Sequence, residues 1–324
     1  MLKPLIKHII KFLKNDFPTT KIGYKLINFY CFFRRHCKPQ NFIIEEKDPN
    51  SSFYIAAVLI IKNEGPYLRE WLEYHKFIGI EHFFIYDNES TDNTKEILHN
   101  YIKQGLVSYT FASGKSRQMQ CYEDAIARYK HKVRWLAFID ADEYIYLKES
   151  SSIRSFLKQY EDYAGIAINW VMFDSNHHKA KPTSGYVISN YTQHLKNLDA
   201  IIENRHIKTI VNPQYIHHFS NPHLPFLNLS AFFASKKIVT SNQEKNAYPL
   251  TNKNFTTKIQ INHYFSKSEE EYLIKINRGL ADSTKKRKIR KIDYDFTNLE
   301  TTTFVPRKDI LDYLYKTIPE TYHQ

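Results

Sequence analysis

Glycine is scarce in this 324-residue chain, with eight in all, and neither GxGxxG nor GxxxxGK[ST] occurs anywhere in it. A fold built on a glycine-rich phosphate loop is thereby excluded. Cysteine is scarcer still. Cys31, Cys37 and Cys121 are too few, too scattered and odd in number for a disulfide framework or a zinc cluster, and CxxC spacing is absent, which points to a reducing compartment. Lysines interrupt every apolar run near the N-terminus well short of the ~20 residues a crossing helix needs. No small-residue cleavage site follows that stretch, so it does not read as a signal peptide. Zinc-finger, RNP and helix-turn-helix signatures are missing as well, which counts against nucleic acid as a partner.

Aromatic residues are abundant, with 24 Tyr and 22 Phe, and a charged fraction of 25% is ordinary for a globular protein. The net charge of +12 is unevenly spread. Residues 1–38 hold nine Lys or Arg against the single Asp16, which accounts for +8 of it. Leu2, Leu5, Ile6, Ile9, Ile10 and Leu13 recur there at helical spacing, with Lys3, Lys7, Lys11 and Lys14 on the opposite face. That pattern suits a helix lying in a membrane interface or an amphipathic helix packed on the protein's own body. A second basic run, "KKRKIRK" at 285–291, reads first as a solvated face.

The polar passage "EEKDPNSS" at 45–52 separates the basic arm from the β-branched run "FYIAAVLIIK", which reads as a buried strand. A strand-then-helix rhythm follows. A helix opens at Gly65-Pro66 and carries Leu68, Trp71, Leu72 and His75; a strand covers His82 to Tyr86; a helix capped by Thr91 or Asp92 closes at Gly105. A strand at Leu106 to Phe111, a helix through Met119 to Tyr129 and the strand "WLAFID" complete the series. Alternation of this kind predicts an α/β fold with a mostly parallel central sheet and helices on both faces. Beyond Glu149 the pattern turns irregular, with strand-like "GIAINWVMF", "GYVISNYTQ", "KTIVNP" and "IQINHYF", then a helix from about Ser268 to Leu280. The expected organisation is a basic amphipathic arm over 1–50, a catalytic domain over 51–282 and a basic C-terminal segment over 283–324.

Open sheets bind ligands beyond the carboxyl ends of their strands. Three segments deliver polar groups there: Lys62-Asn63-Glu64, Asp87-Asn88 and Asp140-Ala141-Asp142-Glu143. A lone DxD is most often a cap or loop feature, but three such clusters at one edge point to a site. Two aspartates one residue apart need a counter-charge, because like charges that close raise one pKa strongly. Oxygen-only ligands select a hard ion, Mg²⁺ or Mn²⁺, which binds through one or two carboxylates and the phosphates of a substrate. Such an ion, beside Lys and Arg, suits a departing nucleoside diphosphate.

The stretches "VLIIKNEGPYLREWLEYHKFIGIEHFFIYDNESTDNTKEIL", "WLAFIDADEYI", "NWVMF", "KTIV", "NPH" and "INHYFSKSEEEYLIKINRG", in that order, resemble glycosyltransferase family 92 and related family 2-like enzymes of the GT-A fold. The resemblance spans roughly residues 55 to 282. It implies transfer of a sugar, often galactose, from a UDP-sugar to a glycan or lipid-linked glycan acceptor, with inversion and with Mn²⁺ or Mg²⁺ as cofactor.

Residue by residue, the resemblance implies that Asp140 and Asp142 hold the metal and the donor diphosphate and ribose, and that His263 completes the metal shell. It places Asn63, Glu64 and Asp87 in the nucleotide pocket and makes Lys208, Lys267, Lys275 and Arg278 diphosphate contacts. Inversion needs a general base, for which Glu143 and Asp174 are the candidates. Relatives usually carry Gly where Asp174 stands, which counts against it, and Glu143 is alternatively a residue that orients the two aspartates. His223 and an exposed Trp170 are candidate acceptor contacts. Composition adds the expectation of a bacterial enzyme of lipopolysaccharide or capsule synthesis, in the cytoplasm and peripheral on the cytoplasmic face of the inner membrane, with an anionic membrane surface as a further partner. The rival classes are a metal-dependent nucleotide-sugar phosphohydrolase, a basic nucleic-acid-binding protein and a non-catalytic lectin-like protein.

Overall fold

The computed structural model describes the backbone of residues 42–44 and residues 52–278 and 289–318. The amphipathic arm with Cys31 and Cys37, and most of the basic run at 285–291, lie outside the described residues. After β1 (Phe42–Ile44) come β2 (Phe53–Ile61), α1 (Gly65–Phe77), β3 (His82–Asp87), α2 (Thr94–Lys103), β4 (Val107–Ala112), α3 (Gln118–Tyr129) and β5 (Val133–Phe138). Then follow β6 (Glu143–Leu147), α4 (Ile153–Leu157), β7 (Gly165–Met172), α5 (Val187–Asn190), β8 (Gln193–Leu195), β9 (Ile207–Val211), β10 (Ile216–Phe219) and β11 (Pro225–Leu227). The last elements are α6 (Leu229–Phe233), β12 (Ile238–Thr240), β13 (Ile259–His263), α7 (Glu269–Arg278), β14 (Thr301–Thr303) and α8 (Lys308–Thr317).

One sheet runs in the order β1-β4-β3-β2-β5-β9-β7-β13-β6, with β12 added on β7. Its first half, β4-β3-β2-β5, is parallel as the strand-helix rhythm predicts. The second half is mixed: β9 is antiparallel to both β5 and β7, β13 is parallel to β7, and β6 returns antiparallel to β13. Continuous apolar runs in β2 and β3 follow from burial on both faces. In β2, Ile55, Ala57, Leu59 and Ile61 pack with Leu68, Trp71 and Leu72 of α1 and with Leu98 of α2. The alternate residues Ala56, Val58 and Ile60 pack with Met119, Tyr122 and Ala125 of α3. Period-2 alternation therefore delivers one helical layer to each face.

Three expectations change. The strand Phe42–Ile44, which precedes the polar passage, pairs with β4, so the packed unit begins at Phe42 and not at 51. Residues 289–318 pack on the same unit: β14 pairs with β8, Phe296 is buried, and α8 packs on α1, where the rings of Tyr313 and Phe77 lie 4.9 Å apart. The stretch "GYVISNYTQ" is not one strand, since Val187–Asn190 is helical and the strand begins at Gln193. Of the two expected caps, Asp92 does serve the first turn of α2, although the N-cap position itself is Asn93. Asp92 accepts from the N–H of Thr94 and from that of Gly65, at 3.1 and 2.9 Å, tying the loop after β3 to the start of α1.

Candidate active site

Strands β2, β3, β5, β7 and β13 all end on one edge of the sheet, and antiparallel β9 begins there. Register brings further residues into line: Glu143 sits opposite His263, and His263 beside Met172. Between β5 and β6 the chain makes a tight acidic turn. The Asp140 N–H donates to Glu143 Oε2 at 3.0 Å, and the Glu143 N–H donates to the Asp140 carbonyl at 3.1 Å. Helix α1 fixes this turn from below, because Trp71 Nε1 donates to the carbonyls of Asp140 and Glu143, at 3.1 and 2.9 Å.

Each aspartate has its own cation. Lys208 Nζ, on a side chain 1% exposed, donates to Asp140 Oδ2 at 2.8 Å and lies 3.7 Å from Glu143 Oε2. Gln118, at the start of α3, donates to the other oxygen of Asp140 at 3.0 Å. Asp142 takes Lys275 of α7, and His263 Nε2 lies 3.4 Å from the same oxygen. Burial alone would raise the Asp142 carboxyl. Lys275 first, then His263, reverse the sign and hold it well below the usual carboxylate range.

Glu143 behaves in the opposite way. It is 0% exposed, and burial pushes its carboxyl well above its ordinary value, Asp140 and Asp142 adding to the push and Lys208 opposing it. Its carboxylate accepts the Asp140 N–H and faces Lys208, contacts that hold the turn. Asp174 is buried in the loop after β7, where it accepts from the N–H of Asn176 at 2.9 Å; burial raises its carboxyl. Its backbone N–H donates to the Gln193 carbonyl of β8 at 3.1 Å, which ties the loop to that strand.

On the β2 side, Glu64 receives Arg278 at 3.0 Å and has Lys267 at 4.0 Å. Segment 267–278 thus reaches Glu64 and Asp142 together. Asn63 and Asp87 reach the same edge, but their side chains are engaged in holding a loop. Asn63, at φ +55°, accepts from the Thr91 N–H at 2.7 Å. Asp87 accepts from the Ser90 N–H and the Tyr109 hydroxyl, both at 2.9 Å. Asn is among the residues that tolerate this left-handed backbone.

Trp170 is half-buried, not an open platform: His206 stacks on it at 5.1 Å and His263 lies 4.2 Å from its centroid. His223 joins the same ring cluster, 5.2 Å from Trp170, and donates Nδ1–H to the Ile207 carbonyl at 2.8 Å. Sequence reasoning passed over Gln118 and the hydrogen bonds of Trp71. Both reach the acidic turn from helices distant in sequence, and no local spacing signals that.

The fit to a divalent ion is partial. Asp142 and His263 meet, His263 is kept neutral by burial, and its Nδ1 is buried without a hydrogen-bond partner among the described residues. Asp140 is engaged by Lys208 and Gln118 instead. Among the described residues, no three His, Cys, Asp or Glu side chains stand close enough to hold an ion by themselves. A hard ion that arrives with phosphate oxygens needs only one or two protein carboxylates, and to that donor set Asp142 with His263 conforms.

A family model described as glycosyltransferase family 92 matches residues 61–299, a span that holds the acidic turn, Lys208, His263 and the α7 cations. The chain belongs to glycosyltransferase family 92. Among curated relatives, a glycosyltransferase family 92 protein of Ricinus communis is 26% identical over 196 residues, covering 54% of this chain and 32% of the relative. A galactan beta-1,4-galactosyltransferase of Arabidopsis thaliana is 30% identical over 118 residues, covering 33% of this chain and 23% of that protein. The family 92 chain therefore spans a third or less of the length of these relatives. Among solved structures, S. aureus TarS 1-349 aligns with a TM-score of 0.33 and 15% identity, over 50% of this chain and 47% of that one.

Proposed function

We propose that this chain is a metal-dependent hexosyltransferase that moves galactose or a related hexose from a UDP-sugar to a glycan acceptor, with inversion. The observation that carries the reading is the convergence at one sheet edge of Asp140 and Asp142 with Lys208, Lys267 and Lys275, all buried or half-buried, and with the exposed Arg278. Cations paired with carboxylates are poised to exchange those partners for phosphate oxygens, and a diphosphate leaving group needs positive charge where its own develops. In this reading Asp142 and His263 hold the ion, Mn²⁺ or Mg²⁺, which when bound neutralises the departing diphosphate. Lys275 and Arg278 take phosphate oxygens, and Glu64, with the loop held by Asn63 and Asp87, faces the nucleoside. Glu143 positions the turn. Asp174 remains the candidate base, its raised pKa suiting a proton acceptor better than an ordinary aspartate would.

The finer setting, a lipopolysaccharide or capsule acceptor in a bacterium and a place on the cytoplasmic face of the inner membrane, is supported by composition alone. No helix among the described residues is long and apolar enough to cross a membrane. The decisive experiment presents the purified protein with a panel of nucleotide sugars, with and without Mn²⁺, and follows binding by calorimetry and transfer to oligosaccharides. Asp140→Asn and Asp142→Asn are each expected to lower transfer by on the order of 10²-fold or more while the fold persists. Unchanged transfer in both variants, or no nucleotide-sugar binding by the wild type, would sink the proposal. Donor hydrolysis that no glycan stimulates would indicate a phosphohydrolase instead.

A further inference from the structure

Helix α6 turns its apolar side outward. Leu229, Phe232 and Phe233 are 72%, 75% and 79% exposed, whereas Ala231 is the residue it buries. Their i, i+3, i+4 spacing puts all three on one face. Asn228 caps the helix by accepting from the Ala231 N–H at 3.1 Å, and Asn228 Nδ2 also donates to the Gln214 carbonyl at 2.7 Å. The knob is therefore held by its base, and its apolar face is a settled feature of the fold. Three large apolar side chains side by side in water cost solvation free energy, which marks a contact surface.

Charge identifies the occupant. Between Glu203 and Glu244 the chain carries no carboxylate side chain, while Lys236 and Lys237 follow the knob directly. Lys236 Nζ donates to the Asp162 carbonyl at 2.7 Å and lies 4.0 Å from that residue's exposed carboxylate; Lys237 is exposed. An apolar face followed by an exposed lysine, Lys237, in a stretch of chain free of carboxylates from 204 to 243, is the pattern of a lipid-water interface, where rings enter the acyl boundary and ammonium groups meet anionic headgroups.

We propose that α6 is a membrane-contact knob, with Leu229, Phe232 and Phe233 inserting into an anionic bilayer and Lys237 meeting its headgroups. The knob lies at the Gly165 end of β7, because Lys237 and Ile238 adjoin Ala164 and Gly165. The acidic turn lies at the Met172 end, and the strand between the two ends spans roughly 23 Å at ~3.3 Å per residue. A bilayer gripped by α6 thus leaves the candidate site facing outward, toward sugars standing off from the lipid rather than the one next to it; that consequence rests on the transfer reading, while the knob itself does not.

The test uses the full chain carrying Phe233→Trp as a reporter, mixed with phosphatidylcholine vesicles with and without phosphatidylserine. The expected result is a blue-shifted emission on the anionic vesicles, quenched by lipids brominated in their acyl chains. Adding Leu229→Ser and Phe232→Ser should lower partitioning roughly tenfold or more and abolish the quenching. A chain that sediments with vesicles while the reporter stays unshifted and unquenched is bound through another segment, and the proposal falls. It falls equally if the shift appears without lipid and scales with protein concentration, the signature of a second copy covering the knob.

Discussion

Lys208 holds the acidic turn together at the level of single residues. It is buried between Asp140 and Glu143, whose charges raise its pKa against the lowering effect of burial. Removing the lysine is costly because Glu143 is then left buried without its counter-charge, while Asp140 is only part-buried. Lys208→Met is expected to lower unfolding free energy by roughly 3–5 kcal/mol, and Lys208→Met with Glu143→Leu to recover part of that loss. Urea denaturation reads both, and an unchanged midpoint in the single variant would show that the lysine carries no such burden. The sequence marks Asp140, Asp142 and Glu143 as a group, and the family resemblance makes Lys208 a diphosphate contact. It does not say which carboxylate each cation meets, because the register of β9 on β5 and β7 decides that.

Elements depend on local chemistry that the wider fold overrides in places. β7 begins at Gly165, where an added Cβ would lie 2.4 Å from Val211 Cγ1 and 2.9 Å from the Ile210 carbonyl. Only a residue without Cβ fits this close approach of β9 to the start of β7. Gly165→Ala should therefore cost roughly 1–3 kcal/mol, as overpacking does. Wild-type thermal stability in that variant would contradict the close approach. The helix α5 illustrates the override: its β-branched, aromatic sequence reads as a strand. Glu70 of α1 reaches across to accept from the N–H groups of Val187 and Ile188, at 2.8 and 3.2 Å, and Ser189 Oγ accepts from Tyr186. Those partners satisfy the first turn, and a partner 117 residues away leaves no local trace.

For the molecule as a whole, buried neutral histidines set the acid limit. Burial lowers His75 to about 3 and His82 to about 4, from an ordinary value of 6.5. His75 donates Nδ1–H to the Trp71 carbonyl and accepts from the Ile145 N–H, so protonation would cancel the second bond. With folded values below unfolded ones, the unfolded chain takes up protons first. Stability from these groups is full above about 6.5 and is lost as pH falls toward 4 and then 3. Glu70, pushed by burial up to about 7, acts in the opposite sense: its contribution is present below 4.5 and lost as pH rises toward 7. Burial lowers His194, His223 and His263 in the same way and raises Glu143 and Asp174 as it does Glu70, so five histidines against three carboxylates leave a net decline on acidification. The urea midpoint should be lower at pH 5 than at pH 7.5, and His82→Gln should make that slope shallower; a midpoint that rises on acidification would contradict the assignment.

By itself the sequence determined the parallel half of the sheet, the two helical layers and the arrival of acidic groups at one edge. Each is written in local period and spacing: alternation in β2, helical recurrence in α1 and α3, and carboxylates directly after β5. Tertiary structure alone decided the mixed half of the sheet, the inclusion of the C-terminal helix, and the pairing of Lys208 with Asp140 and of Lys275 with Asp142. It also buried Glu143 completely. The physical reason is range: hydrogen-bonded periodicity is set by neighbours along the chain, whereas charge pairing and burial depend on which distant strands the sheet places side by side.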